Sequence, residues 1–488
     1  MTRSRPRRGI FGDGPAADNV TLTGERALVK SALGVDLGTT RIKAAELVKP
    51  GRLGGVTVLP APPLQGTGYI RESDPLVYFR KAEQLLAEGA ARLAAPVAVG
   101  LSAQRSSFLL WDRDKGTPRT PLISWQDRRA EKWCRRKGKV MAEKLEHTGL
   151  PFSPHYAGPK LGYIFSTDKA LRRAAHRGEV LFGTLDTWLL WRISGGEHFS
   201  TDLSMAARTL MADPVKGKWD DALLALLGVP PAILPVIRPS WGIGMEISRE
   251  IFVEADLADQ SAALHALSGT SDGGVLVNLG TGGFVLSPSR IDSPAFPGYL
   301  RGPAGLGPGG EKPFQIEGTI NGLAAALAGT GGAQVFLEDE DCSGGLFCMP
   351  DTAGYGSPYW NPAGRQTFSR SPDRMTTSQR KQSILEGIIF RVRQILEGIV
   401  GKREHSRIFL SGGLAADPFL GAALAACLEY PVYRLREKEA SLLGAASLAA
   451  GERDYELPLS VIPVPPEAGR YLPGKYLAWR IWADSLSP

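Results

Sequence analysis

Apolar residues along this chain fall into two alternating patterns, short continuous runs and longer stretches with helical spacing. Ala32–Val35 and Ile42–Val48 are runs of the first kind and predict two consecutive strands around a tight turn. Helical spacing at Tyr78–Leu93 precedes an apolar run at Val97–Leu101, whose polar continuation Ser102–Arg105 falls where α/β proteins build sites. Phe108–Trp111 predicts a further strand, and Thr184–Trp191 and Asp220–Leu227 predict helices. A helix opened by acidic groups starts at Ala258–Ala266. After it, strand Gly274–Leu279, the turn Gly280-Thr281-Gly282 and strand Phe284–Leu286 repeat the arrangement of residues 33–48. A helix at Ser383–Ile399, a strand at Ile408–Leu410, the turn Ser411-Gly412-Gly413 and a small-residue helix at Ala440–Ala450 follow. The alternation predicts an α/β fold, and the repeat predicts duplicated domains meeting near residues 266–272.

Composition sharpens this picture in three ways. With 488 residues, 43% apolar and 22% charged, the chain is too long for one small core and fits a soluble two-domain protein. The formal charge is +7, with basic residues spread along the chain and densest in MTRSRPRR and Arg128–Lys139. Neither run comes with zinc-finger spacing or an aromatic RNA-binding signature, so they read as a tail and a solvated helix face, with no nucleic-acid partner expected. No signal-peptide pattern or 18-residue apolar span is present, and the four cysteines form no CxxC pair. Reduced thiols, a cytoplasmic location and no membrane partner are the expectation.

The segment LGVDLGTTRIKAAE carries the first chemistry. Asp36 ends a strand, Gly38 permits a sharp turn, and Thr39, Thr40, Arg41 and Lys43 supply hydroxyls and positive charge. Backbone N–H groups and hydroxyls in such a turn cradle phosphate oxygens, and the acid suits a hydrated divalent cation. An ordinary strand turn is the competing reading. The second segment is Ala258-Asp259-Gln260-Ser261. A carboxylate at a helix start can take a proton from a substrate hydroxyl while Gln260 orients it, although simple N-capping by Asp259 competes.

Taken in order, GVDLGTTRIKAAEL, GLSAQRSSFLLWD, ISWQDRR, FGTLDTWLLWRISGG, STDLSMAARTLM, DLADQSAAL, NLGTGGFVL and FLSGGLAADPFLGAAL resemble the FGGY carbohydrate kinase family, especially its glycerol-kinase-like branch. The likeness spans about residues 31–450. It implies an α/β, two-domain actin-like/ribonuclease-H-like ATPase fold with a catalytic cleft between the domains, binding ATP and Mg2+ and phosphorylating a sugar, sugar acid or polyol. The domains implied are an extension at 1–30, an N-terminal kinase domain at 31–268, a C-terminal nucleotide-binding domain at 269–455 and an extension at 456–488. By the same resemblance Asp36 supports Mg2+, and Thr39, Thr40, Arg41 and Lys43 approach the phosphates. Gly280, Thr281 and Gly282 form the opposing phosphate loop, and Gly412, Gly413 and Asp417 lie near the nucleoside. Asp259 is the general base, with Gln104, Arg105, His155 and Gln260 as acceptor ligands.

Two positions depart from the glycerol-kinase pattern: Ser106 replaces a Glu after Gln104-Arg105, and His155 replaces a Tyr. They turn the expectation from glycerol toward a ketopentose, a related sugar or another small polyol. Glycerol kinase remains the sharpest alternative, and a non-catalytic nucleotide-responsive regulator or assembly protein is the alternative of another class. Trp125 and Asp127 are expected to pack around the acceptor, and a homodimer is compatible with the sequence.

Overall fold

A computed structural model describes residues 31–267, 274–292, 297–331, 333–338, 340–341, 345–400, 407–452 and 455–486. The expected extension at 1–30 lies outside the described residues. Among the described residues two compact units emerge: residues 31–266 with Gly302–Pro313 and residues 441–452, and residues 267–301 with Phe314–Ala440 and residues 455–486. Gly302–Pro313 and residues 441–452, inside the 269–455 range expected for the second domain, are grouped with the first unit.

The first unit is built on a seven-stranded sheet in the order Trp241–Ser248, Ile251–Ala258, Val97–Ala103, Ser31–Leu37, Arg41–Lys49 and Arg52–Leu53, with Thr57–Pro60 also paired to Arg41–Lys49. Ser31–Leu37 pairs antiparallel with Arg41–Lys49 and parallel with Val97–Ala103, which is parallel in turn to Ile251–Ala258. Central parallel strands are covered on both faces, so they read as near-continuous apolar runs. Helix Pro75–Ala90 starts before the expected Tyr78: Asp74 caps it by accepting from the Leu76 and Val77 amides, and Pro75 occupies the first turn. Its buried face carries Tyr78, Phe79, Ala82, Leu85 and Leu86, which join the core with Leu33, Val35, Val99 and Leu101. Helix Glu131–Leu145 carries the second basic run, with Arg135, Arg136 and Lys137 exposed.

The second unit repeats the arrangement. Gly274–Leu279 pairs antiparallel with Gly283–Ser289 and parallel with Arg407–Ser411, and Val432–Leu435 and Leu459–Ile462 continue the sheet. Helix Thr377–Val400 runs through this core, buried on all sides from Gln382 to Val392. Helix Leu472–Ser485 falls within the expected extension at 456–488, yet Leu472, Tyr476 and Trp479 are fully buried in the same core. Cys134, Cys348 and Cys427 are buried free thiols, and no described helix is long and apolar enough to cross a membrane.

Candidate active site

Three parallel strands of the first unit end in register at Leu37, Ala103 and Ala258. The residues beyond them form a polar edge of the kind on which open α/β sheets bind ligands. Asp36, one residue before the first strand end, is buried and faces Lys43 across the hairpin. Its Oδ1 accepts from Ser102 Oγ at 2.8 Å and from Ser441 Oγ at 3.4 Å. Gly38 closes the turn by donating its N–H to the Arg41 carbonyl at 3.1 Å. A Cβ on Gly38 would lie 2.7 Å from that same oxygen, so only glycine fits. Thr40 and Arg41 stand exposed beyond the turn, and Lys43 is half-buried.

Thr39 faces elsewhere. Its hydroxyl donates to Gln104 Oε1 at 2.9 Å and accepts the Trp125 indole N–H at 2.9 Å. The Trp125 backbone N–H donates to Ser107 Oγ at 3.0 Å, which donates to the same Gln104 oxygen at 3.1 Å. Thr39, expected beside the phosphates, therefore commits its side chain to Gln104 and Trp125, two residues expected around the acceptor. Gln104 is fixed by this closed set, and the His155 ring packs on Trp125 with centroids 5.4 Å apart. Asp127 is fully buried and holds the same loop, accepting from the Arg71 amide at 2.7 Å and pairing with Arg129 at 2.8 Å.

Arg105 and Asp259 meet, with Arg105 Nε 3.4 Å from Asp259 Oδ1. Asp259 is the first residue of helix Asp259–His265, directly after its strand. Its Oδ1 accepts from the Gln260 amide at 2.8 Å, and its Oδ2 from the Gln260 side chain at 3.3 Å. The structure thus brings Gln104, Arg105, Asp259 and Gln260 to one edge. Ser106 is a different case. It adopts a φ of 63°, is 1% exposed, and donates its hydroxyl to the Arg208 carbonyl at 2.7 Å. That hydroxyl is committed inside the protein.

Sequence reasoning assigned no role to the brace behind these groups. Asp202 caps the short helix Leu203–Ala207 through the Ser204 and Met205 amides at 2.9 and 2.8 Å. Ser204 Oγ accepts the Ala258 N–H at 2.9 Å, while Arg208, just past the helix, takes the Ser106 hydroxyl. One small element thereby holds the neighbours of both Arg105 and Asp259. The signal was the Asp202-Leu203-Ser204 capping pattern, ahead of a run too short to show helical periodicity.

In the second unit, Gly280, Thr281 and Gly282 form the hairpin turn, with Gly280 N–H donating to the Gly282 carbonyl at 2.8 Å. Thr281 is exposed at its tip. Gly412 has a φ of 91°, and a Cβ there would lie 2.6 Å from Asn278 Oδ1 and press on the Leu279 backbone. The Gly412-Gly413 turn therefore seats directly against the strand leading into Gly280, and a Cβ on Gly413 would meet nothing within 4 Å. Asp417 caps helix Pro418–Leu428, its Oδ1 accepting from the Phe419 amide at 2.9 Å.

Residues 31–262 match the N-terminal domain of the FGGY family of carbohydrate kinases, and residues 275–451 match its C-terminal domain. The chain is 30% identical over 445 residues to a glycerol kinase of Trichlorobacter lovleyi, covering 86% of this chain and 89% of the relative. It is also 30% identical over 484 residues to an apulose kinase of Pectobacterium atrosepticum, covering 92% and 96%. A glycerol kinase of Plasmodium falciparum solved with ADP shares the fold at a TM-score of 0.79 and 18% identity, over 95% of this chain and 99% of that one. With both family domains matched in order and relatives aligned along most of their length, the chain belongs to the FGGY family of carbohydrate kinases.

Proposed function

We propose that this protein transfers the terminal phosphoryl group of ATP to a hydroxyl of a sugar or polyol. The observation that carries the reading is the Arg105–Asp259 contact at 3.4 Å, made at the sheet edge beside Gln104 and Gln260. Asp259 takes the acceptor proton as the hydroxyl attacks phosphorus in line. Arg105 orients that carboxylate from 3.4 Å, and Gln104 and Gln260 present amides to the acceptor. Thr40, Arg41 and Lys43 are the groups of the first unit suited to phosphate oxygens, and the glycine turns around Thr281 and Gly412 are those of the second. Asp36 suits Mg2+, a hard cation that binds through one or two carboxylates plus phosphate oxygens; when bound it neutralises developing phosphate charge. The hairpin-plus-parallel-strand arrangement repeated in both units supports placing the fold in the actin-like/ribonuclease-H-like superfamily.

For the acceptor, a ketopentose or related sugar is favoured over glycerol. Ser106 is committed to Arg208 and His155 packs on Trp125, so two glycerol contacts have been replaced together. Glycerol is the second reading, supported by the retained Gln104-Arg105 and Asp259-Gln260 pairs and by the glycerol kinase relative. A mass-resolved phosphorylation screen of glycerol, erythritol, ribulose, xylulose, hexuloses and sugar acids tests both. A phosphorylated ketose formed faster than glycerol phosphate is the expected result. ATP binding without product from any acceptor would favour a nucleotide-responsive regulator instead.

A further inference from the structure

The wall formed by Trp125 and His155 is held from behind by one buried amine. Lys160 lies in helix Ala157–Thr167 with 0% exposure. Its Nζ donates to the Ser124 carbonyl at 2.8 Å and to the His155 carbonyl at 3.0 Å. One acceptor immediately precedes Trp125, and the other belongs to His155 itself. Because Trp125 in turn fixes Thr39 and through it Gln104, the spacing of these two backbone segments sets the shape offered to an acceptor. We propose that Lys160 is a positioning residue for acceptor selection: by bridging the Ser124 and His155 carbonyls it fixes the separation of Trp125 and His155. This inference rests on the kinase reading above and deepens it.

Burying an ammonium is costly, and a lysine that only filled space would be replaceable by an apolar side chain of the same length. Nζ lies 6.0 Å from the centre of the Phe108 ring. Burial pulls the Lys160 pKa down to about 7; the Asp127 charge opposes this, Arg129 adds to it, and Cys134 opposes it. The bridge needs two N–H donors, and both the ammonium and the neutral amine supply them. The clamp is therefore the same on either side of that titration.

Lys160→Met keeps length and volume while removing both donors, and Lys160→Arg keeps donors on a longer, planar group. The full-length variants are assayed with the best acceptor from the screen. Since displacements of about 1 Å at a reacting group cost up to about 100-fold, the Met variant should raise acceptor KM by about 10- to 100-fold. KM for MgATP should stay at the wild-type value. The Arg variant should show a smaller rise, again confined to the acceptor, and if the Met variant does not fold this selective rise carries the test alone. Acceptor KM unchanged in the folded variants, or KM for acceptor and MgATP rising in parallel, would overturn the clamp. Failure of wild type to phosphorylate any acceptor would instead remove the kinase reading, so the two failures are distinct.

Discussion

The hydroxyl of Thr39 sits between the Trp125 indole and the Gln104 amide, although its neighbours in the same turn are residues assigned to phosphate. Thr39→Val should therefore weaken acceptor use and leave MgATP use intact. A net hydrogen bond is worth about 1 kcal/mol, and two are lost here, so acceptor KM should rise about 5- to 30-fold. Initial rates measured over both substrates decide it, and a rise confined to MgATP would return Thr39 to the phosphates. Asp259 admits a sharper test. Asn in its place can still accept from the Gln260 amide, so the local helix start is kept. Turnover of Asp259→Asn should nevertheless fall about 10²- to 10⁴-fold, because the proton acceptor is gone. Nucleotide affinity by calorimetry should be unchanged, and near-normal turnover would leave Asp259 only its hydrogen bond to the Gln260 amide at the helix start. Residue identity and the family resemblance singled out Asp259, Gln260, Gln104 and Arg105, which the structure gathers at one sheet edge. The direction of the Thr39 and Ser106 side chains was not legible in the chain, because it depends on Trp125 and Arg208, partners distant in sequence.

At the scale of elements, the helix Ala440–Ala449 was recognisable as small-residue and apolar, but not the surface it covers. A Cβ on Gly100 would collide with the Ala445 carbonyl, and one on Gly34 would lie 2.7 Å from the Leu442 carbonyl. Gly34 and Gly100 are cross-strand partners, so the sheet offers a groove two glycines wide. Gly444 in the helix answers it by pressing on the Ala262 carbonyl, just beyond Asp259. Each contact is backbone against backbone and cannot relax by turning a side chain. Gly100→Ala should lower stability by about 1–3 kcal/mol, the usual cost of overpacking, with a matching fall in thermal midpoint. An unchanged midpoint would show that the helix can move off the sheet freely. Other elements hid for local reasons. Strand Ile251–Ala258 carries Glu254 and Asp256 within its apolar run, which breaks the pattern. Helix Ala157–Thr167 opens with Ala-Gly-Pro-Lys, which reads as a turn until its buried Lys160 finds its two carbonyls. Pro159 is tolerated because it falls in the first turn, where no intrahelical donor is needed.

At the scale of the whole molecule, three buried carboxyl groups of the first unit tie stability to pH. Asp186, Asp202 and Asp256 are each at most 2% exposed. Burial raises Asp202 from 3.8 to about 6, against hydrogen bonds from Ser240 and the Ser204 and Met205 amides. Asp256 is raised well above 3.8 by burial and then by the charges of Asp186 and Asp202. Asp186 is raised by burial, against the Thr184 and Thr201 hydroxyls. Among the described residues, one oxygen of Asp186 and one of Asp256 have no hydrogen-bond partner, so their ionised forms are poorly solvated. All three hold a proton more tightly folded than unfolded. Their contribution to stability is therefore complete below the unfolded value near 3.8 and is lost as pH rises through about 6 for Asp202, and higher for Asp256. Each pKa unit is worth about 1.4 kcal/mol, so the loss from Asp202 alone has an upper bound of about 3 kcal/mol. Asp256→Asn removes the most strongly disfavoured charge and the repulsion it exerts on the other two, while remaining neutral at every pH. Thermal midpoints measured from pH 4 to pH 8 should fall more steeply for wild type than for Asp256→Asn, leaving the variant the more stable protein at neutral pH. Taking the difference between the two profiles cancels the opposite slope of acids ion-paired elsewhere in the chain. Parallel profiles would mean that Asp256 titrates alike in the folded and unfolded chain, and that its burial is relieved by something other than a proton.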